Sequence, residues 1–213
     1  MGSKTILLSV SRTCKTAAAW IGSFIKRYIP LVTILAIASS AWLWQKNQQL
    51  DTQNRILFKE KCVQMGQPKT PAQKEEIEKT CAAMIHYSSL EKVSPYLVLA
   101  VAVRESGLNP TAVGYRQDGR GCDYGIMQIN TCAHDVDTFS CDVLRSVACN
   151  IHHGIKMLAE ELRFFKGNEK LALLAYNRGR GAVLADVRIG ANPSNGYEKT
   201  IFRYRDRIIK YSV

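Results

Sequence analysis

The residues of this chain best suited to acid–base chemistry are a single glutamate and a few side chains that follow it. Glu105 closes the apolar run Leu97-Val98-Leu99-Ala100-Val101-Ala102-Val103-Arg104-Glu105-Ser106. In the last turn of a helix the unpaired carbonyls carry partial negative charge, which disfavours a carboxylate. Partial burial disfavours it further, so both influences push the acid's pKa up. A carboxylic acid kept protonated near neutral pH is what a general acid needs. Taken alone, Glu105 reads more readily as a surface residue that ends a helix. A second carboxylate, Asp123, opens the block Asp123-Tyr124-Gly125-Ile126-Met127-Gln128-Ile129-Asn130, and Ala175-Tyr176-Asn177-Arg178-Gly179 and Tyr197 supply further phenols and amides.

The elements that must position these groups are mostly helical. Ser94 suits an N-cap, Pro95 the first helical position, and Gly107 the left-handed residue that closes the helix carrying Glu105. Thr70-Pro71-Ala72-Gln73 has the form of a capping box and opens a helix through Ile77, Cys81, Met84, Ile85 and Leu90. From Asn109 to Asn130 the texture changes to turn chemistry, with Gly114, Gly119, Gly121 and Gly125 around a short apolar segment. A small hairpin or irregular β element fits only there. Helical periodicity then returns at 142–147, 150–165, 169–176, 181–187 and 197–211. The expected plan is α+β, mostly α, with one small β excursion.

At 213 residues the chain has room for one ordinary domain and an appendage. Its formal charge of +11 permits nucleic acid, anionic lipid or an anionic wall polymer as partner. No recognition helix, zinc-finger spacing or ribonucleoprotein motif accompanies that charge, so nucleic acid is not expected. The uncharged stretch Tyr28–Trp44 is about the shortest that spans a bilayer as a helix. Lys26 and Arg27 precede it, which puts residues 1–27 in the cytosol and the rest outside, crossing the inner membrane once. Ala36-Ile37-Ala38 also has the small-x-small form of a signal-peptide cleavage site. Residues 45–69 read as a partly helical spacer, and 70–213 as the folded domain.

Cys14 falls on the cytosolic side, leaving Cys62, Cys81, Cys122, Cys132, Cys141 and Cys149 as an even, exported set. An oxidising compartment makes them a disulfide framework, with Cys62–Cys81, Cys122–Cys132 and Cys141–Cys149 the pairs nearest in sequence. Metal binding is not expected. There is no Cys-x-x-Cys, and the adjacent His152 and His153 point different ways on a helix.

Glu105-Ser106-Gly107, the Gly125-Ile126-Met127-Gln128-Ile129-Asn130 block, Asn150…Gly154, Ala175-Tyr176-Asn177 and Tyr197 occur in an order that resembles the lytic transglycosylases of the lysozyme superfamily. The likeness runs from Ser94 to Ile209. It is closest to the small exported members that accompany secretion systems, conjugation and phage entry. The resemblance implies a lysozyme-like domain that acts on peptidoglycan glycan strands at the bond between N-acetylmuramic acid and N-acetylglucosamine, without a cofactor. Glu105 would be the only catalytic carboxylate. Ser106, Met127, Gln128, Tyr176, Asn177 and Tyr197 would bind substrate or hold the acid: Met127 as an apolar wall, Gln128 as an amide donor, Tyr176 and Asn177 around Glu105 and the acetamido group, and Tyr197 completing a tyrosine pair. The block from Asp123 is also similar to that of C-type lysozymes, where its Asp is a second carboxylate. In that case the chain would be a hydrolase.

Overall fold

A computed structural model describes residues 3–115, 122–130 and 146–210, with side chains from residue 33 onward. Helix α1 runs over Ser3–Gly66. The chain divides into two compact units, Met1–Asn54 and Arg55–Val213. In the first unit, Ile34, Leu35, Ile37, Trp42, Leu43 and Trp44 are all exposed. The hydroxyls of Ser39 and Ser40 donate to the Ala36 carbonyl inside the helix. Among the described residues no helix is long and apolar enough to cross a membrane. The side chains of 28–32, the first part of the expected span, lie outside them.

The second unit begins at Arg55, earlier than position 70, because the last turns of α1 supply part of the core. Phe58 and Cys62 are buried. Phe58 meets Tyr96 edge-on, with ring centroids 5.4 Å apart. Lys61, only 5% exposed, donates from Nζ to the Ile209 carbonyl at 2.7 Å. A cation at a helix C-terminus satisfies a carbonyl that has no intrahelical partner. What reads in sequence as a polar spacer therefore carries a sparse apolar face that the domain covers.

Helix α2 spans Pro71–Glu91, with Thr70 accepting from the Gln73 amide and Pro71 in the first turn. The disulfide Cys62–Cys81 ties it to α1. Helix α3, Pro95–Ser106, buries Leu97 through Ala102 without interruption and closes at Gly107, whose φ of 63° is left-handed. Ser94 occupies the N-cap but makes no side-chain cap bond.

Three short antiparallel strands follow, β1 (Val113–Tyr115), β2 (Cys122–Tyr124) and β3 (Ile129–Asn130), in that order across the sheet. Tyr124 faces Val113 on one side and Ile129 on the other. The apolar segment 126–129 is mostly turn, because positive φ at Gly125 and Gln128 bends it back between β2 and β3. Helices α4 (Val147–Phe164), α5 (Glu169–Arg178), α6 (Arg180–Arg188) and α7 (Tyr197–Lys210) complete the fold. Helix α7 packs along α3, α4 along α2, and α5 on both α4 and α7. The main core cluster joins α1, α2, α3, β3 and α4 side chains with Leu173 of α5 and is closed by Tyr197, Ile201 and Ile208 of α7, while Leu174, Ala175 and Val183 form a second, smaller cluster between α5 and α6. Residues 142–145 of one expected helix lie outside the described residues, as do Cys132 and Cys141 and therefore two of the three expected disulfides.

The Cys62–Cys81 bond closes a loop of 19 residues, so its removal frees the unfolded chain. Cys62→Ser combined with Cys81→Ser is expected to lower stability by about 3 kcal/mol. Denaturant unfolding of the double variant checks it.

Candidate active site

The site forms where the end of α3 meets the start of α7. Continuous burial of α3 leaves only its last turn to reach outward, which delivers Glu105 half-buried. Tyr197, 5% exposed at the head of α7, donates its hydroxyl to Glu105 Oε1. Burial pushes the Glu105 pKa up. The Tyr197 bond and the charge of Arg104 pull it down, while the charge of Asp123 adds to the rise. The net direction is upward, toward a neutral acid. Tyr197 stays a phenol, since burial first and the Glu105 charge second raise its own pKa.

The end of α3 is tied to the turn after β2, whose backbone four side chains hold. Asn150 of α4 is 1% exposed; its Nδ2 donates to the Tyr124 carbonyl at 2.8 Å and its Oδ1 accepts from the Met127 amide at 2.9 Å. Ser106 Oγ donates to the Ile126 carbonyl at 2.9 Å, joining the turn to the residue after the acid. Tyr176 of α5 donates its hydroxyl to the Met127 carbonyl at 2.8 Å. Gln128 Nε2 donates to the carbonyls of Gly125 at 2.8 Å and Ala112 at 3.3 Å. The turn also needs Gly154, because a Cβ there would lie 2.5 Å from Met127 Cβ.

This geometry corrects three of the sequence-based roles. Met127 is fully buried, so its side chain packs over Gly154 and does not line a cleft. Gln128 spends its amide hydrogens within the β excursion and offers a ligand only its oxygen. Tyr176 gives its proton to Met127, not to Glu105. It still lies within the electrostatic reach of both Glu105 and Asp123, whose charges add to burial in raising its pKa. Asp123 faces Asn130 across the sheet, and Asn130 Nδ2 donates to its Oδ1 at 2.7 Å. Asn177 is exposed, and its Oδ1 accepts from Asn195 Nδ2 at 2.9 Å. Among the described residues no group of three or more His, Cys, Asp or Glu gathers to hold a metal.

Sequence reasoning left four positioning residues without a role: Asn130, Asn150, Asn195 and Glu198. Glu198 is 1% exposed and accepts from Ser194 Oγ. A Glu at such a helical position reads as surface, and only the fold reveals its burial.

Comparison with known proteins gives the family of the domain that holds these residues. The model of the transglycosylase SLT domain family matches residues 82–195. This chain belongs to that family. The matched span holds Glu105, the 125–130 block, Tyr176 and Asn177; Tyr197 lies just beyond its end, after Gly196. No curated protein matches the chain significantly. Among solved structures, an inactive variant of the lytic transglycosylase Slt from Pseudomonas aeruginosa is similar, with 22% identity and a TM-score of 0.49 over 60% of this chain. This chain spans 23% of that one's length.

Two outcomes follow from the site's wiring. Asn150→Ala strands the buried Met127 amide and the partly buried Tyr124 carbonyl, and is expected to cost about 2–4 kcal/mol in chemical denaturation. Because the folded chain holds the Glu105 proton more tightly than the unfolded chain, the penalty for ionising it is absent at low pH and grows as pH rises through the raised pKa. Glu105→Gln is therefore expected to gain stability over the native chain at pH 8, with the gap narrowing toward pH 4 in thermal melts.

Proposed function

We propose that this chain is a membrane-anchored murein lytic transglycosylase that opens the cell wall locally. The observation that carries the reading is Glu105, an acid with a raised pKa, held by Tyr197 at the edge of the family's matched segment. In the proposed reaction Glu105 protonates the leaving O4 of N-acetylglucosamine as general acid. The acetamido oxygen of the N-acetylmuramic acid attacks C1 in place of an enzyme nucleophile. The carboxylate then takes the proton of the C6 hydroxyl as that oxygen closes on C1 and displaces the acetamido oxygen, which regenerates the N-acetyl group. A 1,6-anhydro end results and no water is consumed.

Tyr197 binds one carboxyl oxygen and so leaves the other to carry the travelling proton. Asn177, exposed beside the acid's partners, is the proposed contact for the acetamido group. Asp123 favours a second reading, a muramidase in which it assists as a second carboxylate, because its charge reaches Glu105. A third, in which the domain only binds glycan within a secretion, conjugation or phage-entry apparatus, needs no acid at all.

For the N-terminal segment we propose a single inner-membrane span at 28–44, a cytosolic tail at 1–27 and a periplasmic catalytic domain. The support is the exposed apolar surface of Ile34 through Trp44 and the two serine hydroxyls already satisfied inside the helix. Such an anchor holds the enzyme near nascent wall.

Purified full-length chain in detergent, incubated with murein, is expected to yield anhydro-ended muropeptides by mass. Reducing ends would assign the muramidase reading, and no products from the native chain would overturn both. Glu105→Gln is expected to lower turnover by about 10²–10⁴-fold. A Glu105→Gln chain that folds and still serves its biological role would support the binding-only reading.

A further inference from the structure

A primary amide can present either of two faces. Turning it over exchanges a donor for an acceptor, and its neighbours decide which way it sits. At Asn177 the decision is traceable to a backbone group. The Tyr197 amide can only donate, and it donates to Asn195 Oδ1 at 3.1 Å. The other terminus of Asn195 is therefore its Nδ2, a donor, which meets Asn177 at 2.9 Å. The atom it meets must accept, so it is Asn177 Oδ1. Asn177 Nδ2 is then the terminus left for a ligand.

The turn carrying Asn195 is itself secured. The Ser194 amide donates to Asn192 Oδ1 at 3.1 Å. Ser194 Oγ donates to the buried Glu198, and Arg178 donates to the Pro193 carbonyl. Arg178 is held in turn by Asp186 at 2.8 Å. Asn195 is thus an exposed side chain on an anchored turn, linking the residue that grips the acid to the residue proposed to face the sugar.

We propose that Asn195 is a specificity-determining positioning residue, which fixes Asn177 as a hydrogen-bond donor so that the site selects N-acetylated over de-N-acetylated sugars. An acetamido carbonyl is an acceptor and matches Asn177 Nδ2. The ammonium of a de-N-acetylated amino sugar is a donor and meets it donor to donor. This rests on the reading of Asn177 as a sugar contact.

The arrangement predicts its own inversion. Asn195→Asp keeps an acceptor for the Tyr197 amide but replaces Nδ2 with a second acceptor. Asn177 must then turn over to donate inward, leaving its oxygen for the ligand. Asn177→Asp reaches the same polarity without touching Asn195, since one oxygen still accepts from Asn195 and the other faces the ligand. Asn195→Leu removes the lock and adds no charge, so the preference should weaken without inverting.

Calorimetry on the full-length chain carrying Glu105→Gln, which binds without turnover, compares an N-acetylglucosamine hexamer with its fully de-N-acetylated counterpart. Glu105→Gln alone is expected to prefer the acetylated hexamer. Adding Asn195→Asp or Asn177→Asp is expected to shift the affinity ratio toward the de-N-acetylated one by about tenfold, the scale of one hydrogen bond. A ratio unchanged within twofold in Asn195→Asp, with an unaltered melting temperature, would overturn the role of Asn195. An unchanged ratio in Asn177→Asp would overturn the donor assignment. If the Glu105→Gln protein binds neither hexamer, the substrate reading fails first and takes this inference with it.

Discussion

A carboxyl group stays protonated near neutral pH only if water is kept from it and no cation pairs with it strongly. Glu105 sits half-buried at the junction of two helices, with a phenol as its partner, and burial raises its pKa. The phenol donates a hydrogen bond that orients the acid without supplying a formal charge. Arg104 is adjacent in sequence, but its guanidinium lies over the Tyr197 ring at 6.0 Å. The opposing charge of Asp123 works against it. Everything else in the second unit serves to keep this pair together. Helix α3 is buried without a break from Leu97 to Ala102, which fixes the turn that follows. Helix α7 lies along α3, and Ile201 and Ile208 seat it while Lys61 holds its far end.

The floor of the site follows a different rule. The turn after β2 is too short and irregular to satisfy its own backbone, and buried peptide groups need partners. Three side chains from other segments, Ser106, Asn150 and Tyr176, supply most of them, and Gln128 adds a bond from within the turn. Each of the three also joins its own segment to the turn, so the network fixes the distances between elements as well as paying the cost of burial. Ser106 links it to the acid's own helix, and Tyr176 to the helix that ends at Asn177. The side chains that resemble substrate contacts in sequence turn out to include several that build the frame.

Much of the frame was legible in the sequence because it rests on local patterns. Caps at Thr70 and Gly107, the period of α4, and the acid at the end of α3 depend on neighbours within a few residues. The pairing of Cys62 with Cys81 likewise joins each to its nearest cysteine in sequence. What escaped depends on distant partners. The burial of Met127 cannot be separated from cleft lining by alternation alone, since an apolar residue in a turn suits both. Asn150 stands out in sequence only as part of a motif and Asn195 not at all, and what each does shows only when the fold brings Tyr124 or Asn177 to it. Lys61 and Phe58 sit in a stretch whose composition is that of a linker, and only contact with α3 and α7 shows them to belong to the domain.

The account stands on the raised pKa of one side chain, and that can be read directly. Carbon-13 labelling of glutamate, with Glu105 assigned by its loss in Glu105→Gln, lets the carboxyl carbon be titrated by NMR. The account predicts a midpoint above the ordinary glutamate value of about 4.3. In Tyr197→Phe the midpoint should move higher still, since the lost hydrogen bond had favoured the charged form. A midpoint at or below the ordinary value in the native chain would contradict it.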